Sequence, residues 1–308
     1  MYNLPKNNTI IFKLPEWIDV DNLNWKELSR NFSAIDVLKK NQEKIDWRHL
    51  SSNEKALDIL EQNQEKIDWS QLSGNMNAFH LLEQNQDKID WVMLSQNEND
   101  KAVRFLEQNQ DKIDWEYLSK NENDRAMLLL KLNPDKIDWK RLSRNENDIA
   151  VYLLEQNQHR IDWSKLSINE NHGAILLLEQ NQDKIDWMEL SDNKNAIHLL
   201  EKNQDKIDWE YLSFNPDAIH LLEKNQDKID WENLSSNVST QAIKMLEKKM
   251  DHIFWYNFSG NPSMFLREIN YTYLKERMDV IREELMMKCL HPNRLEKWIE
   301  LGGDIDEF

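Results

Sequence analysis

A chain of 308 residues with a formal charge of −17 and a mean hydropathy of −0.81 leaves little room for two broad classes of protein. Tracking a nucleic-acid backbone needs Lys and Arg to displace condensed counterions, but acids outnumber bases here by 56 to 39, which leaves at most a local basic stripe. Thirteen tryptophans among regularly placed Leu and Ile carry enough apolar surface for an ordered core, which argues against wholesale disorder.

The first segment, "MYNLPKNNTIIFKLPEW", lacks the continuous apolar core of a secretory signal, and no later stretch reaches the ~18 apolar residues of a membrane span. A soluble, cytoplasmic protein is expected, and the single cysteine, Cys289, fits a reducing compartment. Residues 1–24 read as an N-terminal cap.

From residue 25 to 258 the chain is periodic. Trp25, Trp47, Trp69, Trp91, Trp115, Trp139, Trp163, Trp187, Trp209, Trp231 and Trp255 follow one another at intervals of 22 or 24 residues, which gives ten intervals without a break. Periods of this length mark a small helical element that stacks on copies of itself. In "WEYLSFNPDAIHLLEKNQDKID" the N-cap is Asn215, Pro216 suits the first helical position, and Ala218, Ile219, Leu221 and Leu222 make an apolar stripe. Asn225 is placed to close the helix in a left-handed conformation. Asp230 then caps a second, shorter helical turn in which Trp231 and Leu234 face the same side as core anchors.

In the longer units Asn99, Asn123, Asn147, Asn171 and Ser239 stand three residues before the recurring alanine, so the cap moves with the helix and the two extra residues fall in the preceding loop, as at Asn97-Glu98. That alanine recurs from Ala34 to Ala242, which predicts a close approach of neighbouring backbones. Helices this short fall below the ~12–15 residues needed for marginal stability alone, so a unit gains order only by stacking.

After "WYNFSGNP" the pattern changes. An amphipathic helix is expected over Asn270–Leu290, and "HPNRLEKWIELGGDID" supplies a helix start at Pro292 and a stop at Gly302-Gly303, so residues 259–308 read as a C-terminal helical cap. The fold class expected is therefore all-α: an α-solenoid of about ten tandem 22–24-residue helix-pair repeats with capping elements at both ends.

The opening "LPEWIDVDNLNWKELSRN", the recurring "LSxNxxAIxLLExNQDKIDWxxLS" and the closing "LHPNRLEKWIELGGDID" resemble the short helical repeat proteins of giant nucleocytoplasmic DNA viruses of the mimivirus type, from about Leu14 onward. Where that family has "NPDKIDW", this chain mostly has Gln in place of Pro. The resemblance implies an α-helical repeat protein made in the cytoplasm of an infected host cell, or placed in the viral factory or virion, and it brings no catalytic residues.

Catalysis finds little support in the residues. The recurring Asp46, Asp68, Asp90, Asp114, Asp138, Asp162, Asp186, Asp208 and Asp230 form a ladder of like groups, whereas acid–base chemistry needs unlike groups converging on one point. His80, His198 and His220 share a slot two residues after the alanine, and adjacent units are too far apart for them to share a metal ion, so they read as surface residues and no metal site is assigned. With only five Gly and no phosphate-cradling or "CxxC" motif, no cofactor is expected.

Binding should lie where the repeat stops dictating the residue: the two slots after each Trp and the one after each "LS". Val92, Met93, Tyr117, Ile168, Met188, Tyr211 and Phe214 occupy such slots and are the candidate partner-binding residues. The expected function is a non-catalytic protein-interaction scaffold for a host or viral protein. A structural component of the virion or viral factory, or an RNA-binding helical repeat, are the alternatives, and no small-molecule substrate is assigned.

Overall fold

The computed structural model describes residues 10–269 and Lys275. The expected Asn270–Leu290 helix, the turn at Pro292 and Cys289 lie outside the described residues. The chain separates into two compact units, Met1–Lys13 with Leu266–Phe308, and Leu14–Phe265. In the first, Ile10–Lys13 pairs antiparallel with Leu266–Ile269, in a register that sets Ile10 opposite Ile269 and Lys13 opposite Leu266.

The second unit is the helical repeat array, and the all-α solenoid of tandem repeats is what it shows. Each repeat opens with a short "Trp helix", such as Trp139–Ser143, which from Trp47 to Trp231 is capped by the preceding aspartate: the Asp138 side chain accepts the Arg141 N–H. All nine repeating aspartates from Asp46 to Asp230 cap a Trp helix in this way. A second helix follows, then a 3-10 turn over the "QDK" segment, then the isoleucine and aspartate that lead into the next Trp helix. Numbering units by their tryptophan, unit 1 starts at Trp25 and unit 11 at Trp255.

The core is drawn from fixed positions. The Leu three residues after each Trp is fully buried from Leu28 to Leu234, with Phe258 in its place in unit 11, and each alanine from Ala34 to Ala242 has no exposed surface. Met264 takes the alanine's position in unit 11, also fully buried. Burying one Leu contributes ~1.5–3 kcal/mol, so the repeated leucines are the main apolar source of stability.

Consecutive units are joined by two polar ladders. The buried serine of each Trp helix donates its hydroxyl to the carbonyl of its own Trp and accepts the N–H of the residue before the next Trp, an aspartate in units 2 to 10 and Phe254 in unit 11; Ser119 Oγ, for instance, lies 2.8 Å from Trp115 O and 3.0 Å from Asp138 N. The asparagine two residues after the serine sends its amide back to the preceding unit: Asn145 Nδ2 donates to Ser119 O at 3.2 Å and to Asn121 O at 3.0 Å, while its Oδ1 accepts from Asn147 N. The buried serine and asparagine thus each bond both within their own repeat and to a neighbouring one.

Both ladders continue past the end of the array. Asn24 N bonds Ser259 Oγ at 2.9 Å and Asn31 Nδ2 bonds Ser259 O at 3.2 Å, the same contacts that join any unit to the next, so unit 11 precedes unit 1. Trp17 packs against Phe258 with ring centroids 5.9 Å apart, and Tyr256 donates its hydroxyl to Glu27 at 2.8 Å. The repeat array of Leu14–Phe265 closes on itself, and the surfaces that an open stack would have to cap are covered by each other.

Three local expectations are corrected. Asn225 is not left-handed: its φ is −131°, and its side-chain amide donates to Leu221 O at 2.9 Å, so the carbonyl is satisfied by a side chain while the 3-10 turn begins at once. The tryptophans are half-buried rather than core anchors, and in eight of the eleven units the ring is covered by the cation of the following turn: Lys184 Nζ lies 4.5 Å from the Trp163 ring and Arg160 5.1 Å from Trp139. The two extra residues of the longer units do not lengthen a loop before the helix. Asn97 keeps the ladder position, bonding Ser73 O at 2.8 Å, and the insertion becomes the cap Asn99 and an added first turn of the nine-residue helix Asp100–Gln108. Asn215 likewise bonds Ser191 O, so it corresponds to Asn97 and not to Asn99.

Candidate interaction surface

A Trp helix buries its fourth and fifth residues, Leu and Ser, and turns its second, third and sixth positions outward. These three slots form rows that pass from unit to unit, and consecutive rows touch: Lys165 Nζ meets Glu189 at 2.6 Å, and Arg141 forms a forked pair with Glu116, with Nε at 2.9 Å from the carboxylate. The array therefore carries a continuous surface whose backbone is constant and whose side chains vary.

All seven residues singled out from the sequence fall in these slots. Val92, Met188 and Phe214 are exposed; Met93, Tyr117, Ile168 and Tyr211 are half-buried. Met93 is partly covered because Gln96 donates to its sulfur at 3.3 Å, and Tyr117 because the Arg141 guanidinium lies 5.3 Å from its ring centroid. The seven do not make one uninterrupted apolar stripe. Unit 6 has Lys140, Arg141 and Arg144 in the three slots, which separates Val92, Met93 and Tyr117 from Ile168, Met188, Tyr211 and Phe214.

Around unit 6 the surface is cationic. A cleft of about 360 Å³ is lined by Lys120, Lys140, Arg141, Arg144 and Lys165, with Glu116 and Asp138 as its acids. The bond to Glu116 raises the Arg141 pKa. Farther along, burial and the neighbouring Glu170 raise the carboxyl of Asp192, partly offset by Arg144. A third feature is an acidic ladder in the loops after the Trp helices: burial raises the pKa of Glu122 and of Glu146, helped for Glu122 by Glu98 and Glu170 and for Glu146 by Glu170 and Glu122.

The second helices carry a surface the sequence reading missed. In the slot two residues after the alanine, His80, His198 and His220 each meet a glutamate of the preceding unit, at 2.8, 2.8 and 3.0 Å respectively. In units 5, 6 and 7 the same slot holds Leu128, Tyr152 and Leu176, which are 50%, 50% and 42% exposed, and Leu132 beside them is 78% exposed. The signal was present: three consecutive units exchange a polar slot for Leu, Tyr and Leu. It was overlooked because the slot lies within a helix whose apolar content suggested burial.

Among the described residues no group of three or more His, Cys, Asp or Glu could hold a metal ion, and no helix is long and apolar enough to cross a membrane. Comparison of the chain with family models, with curated proteins and with solved structures found no match.

Proposed function

We propose that this protein is a non-catalytic scaffold that binds a host or viral protein, and that it works in the cytoplasm of a cell infected by a giant DNA virus. The reading rests on one observation. Leu128, Tyr152 and Leu176 stand exposed on consecutive second helices, at a slot that units 1 to 4 and 8 to 10 fill with charged or histidine side chains, and Leu132 stands exposed one turn beyond Leu128. Large contiguous apolar patches on soluble proteins mark interaction sites, and aromatic anchors dominate their energetics. Val92, Met188 and Phe214 extend the choice of contacts on the Trp-helix rows. The ladder residues, by contrast, are consumed in holding units together, and they offer no converging set of unlike groups for chemistry.

A photo-crosslinking amino acid placed at Tyr152 or at Leu176 in infected cells should trap the same protein. At His220, in the same slot outside the strip, it should not. Absence of a common product at Tyr152 and Leu176, or an identical product at all three positions, would reject the reading.

A further inference from the structure

The cationic cleft of units 5 to 7 is out of keeping with a chain of net charge −17. Two of its five cations are accounted for: Arg141 by Glu116, and Lys165 by Glu189. The remaining acid of the lining, Asp138, is engaged in capping the Arg141 N–H. Lys120, Lys140 and Arg144 are exposed and their side chains have no ion-pair or hydrogen-bond partner among the described residues, although Arg144 is close enough to influence the Asp192 carboxyl. Holding like charges together in one concavity is unfavourable without an anion between them, and a cleft concentrates their field.

Placement and charge narrow the anion. Lys140 lies on the Trp139–Ser143 helix and Arg144, four residues on, caps its end, while Lys120 comes from the turn that follows the neighbouring Trp helix, Trp115–Leu118. Side chains of neighbouring Trp helices can reach one another, as Arg141 and Glu116 do, so charge selects the anion more than reach: three unpaired cations match the several negative oxygens of two or three linked phosphates better than those of a single phosphate. The basic run also ends abruptly. On one side the slots hold Val92 and Met93, and on the other Met188, Glu189 and Asp192. A nucleic-acid strand would need cations to continue along its path, so the cleft suits a compact anion and not a polymer.

We propose that the cleft lined by Lys120, Lys140 and Arg144 binds a small linear polyphosphate group, with Arg141 and Lys165 as flanking cations. This site is independent of the protein-binding strip on the second helices.

Isothermal titration of the full chain with inorganic tripolyphosphate at low ionic strength tests it. One ligand should bind per chain, and orthophosphate should bind at least roughly tenfold more weakly. Replacing Lys120, Lys140 and Arg144 together by Gln should weaken tripolyphosphate by at least about tenfold, whereas Gln at the equally exposed Lys101, Lys224 and Lys248 should change it by no more than about twofold. Circular dichroism checks that both triple variants are folded; all six side chains are exposed, and no core contact is removed. No binding by the wild-type chain, or equal weakening in both variants, would overturn the proposal. Binding of a single-stranded oligonucleotide as tightly as tripolyphosphate would also overturn the assignment to a compact anion.

Discussion

Substituting Asn145 by Ala removes one rung of the ladder that joins units. Asn145 is 2% exposed; its amide donates to Ser119 O and Asn121 O, and its carbonyl accepts from Asn147 N. Each neutral hydrogen bond contributes ~0.5–1.5 kcal/mol net, and a buried group left without a partner costs ~1–3 kcal/mol, so the loss should be about 2–5 kcal/mol. Asn145→Asp should cost more than Asn145→Ala, because it keeps the acceptor, removes both donors and sets a buried charge against two carbonyl oxygens. Urea denaturation followed by circular dichroism measures both, through the midpoint at constant slope. The same experiment on Asn31→Ala examines the seam. Asn31 is 3% exposed, bonds Ser259 O and accepts from Ser33 N, so its loss should cost about 1–4 kcal/mol. A change under ~0.5 kcal/mol for Asn145→Ala would refute the reasoning about the ladder.

Ala174 has no exposed surface, and Ala174→Leu should destabilise by roughly 1–3 kcal/mol through overpacking, seen as a lower melting temperature; an unchanged melt would show that the neighbouring helices can part freely. Glu146 gives a pH-dependent case. Its folded pKa is raised by burial and by Glu170 and Glu122, so its contribution favours folding when protonated, below its unfolded pKa, and is lost as pH rises through the folded value. Glu146→Gln should therefore raise the urea midpoint at neutral pH, and the difference from wild type should shrink as pH falls below the ordinary carboxylate range; a gain that does not depend on pH would contradict this. Lys184→Gln removes a cation from the Trp163 face and should cost ~0.5–1 kcal/mol in the same assay, with no loss counting against the stacking.

The period of the tryptophans and the alternation of Asn caps with Leu-rich runs were enough to place the helices, because those features are local: an Asp before a Trp accepts N–H groups two or three residues on in any context. Closure was not legible. The contacts that make it, Asn24 and Asn31 with Ser259, use residues chemically ordinary for their slots, and nothing in a linear reading distinguishes a last unit that meets solvent from one that meets the first. The tryptophans misled for a related reason. Their covering Lys or Arg lies about twenty residues downstream, so an indole that looked like core turned out to be half-buried beneath a cation. The variable slots after each Trp were found because variation among repeats is visible within one sequence. The Leu128–Tyr152–Leu176 strip was missed because an apolar residue inside a helical stripe carries no mark of which way it faces.

The most direct test of closure is a distance across the seam. With Cys289 replaced by Ser, spin labels at Lys26→Cys in unit 1 and Glu232→Cys in unit 10 would lie two units apart through the seam, and Lys140→Cys with Met188→Cys, in the same slot of units 6 and 8, gives the internal reference. Pulsed dipolar spectroscopy should give both pairs the same distance, about 15–25 Å for two helix spacings. A reference pair at that distance with a seam pair well beyond ~40 Å would mean that the array is open, and the account of closed ladders would fail.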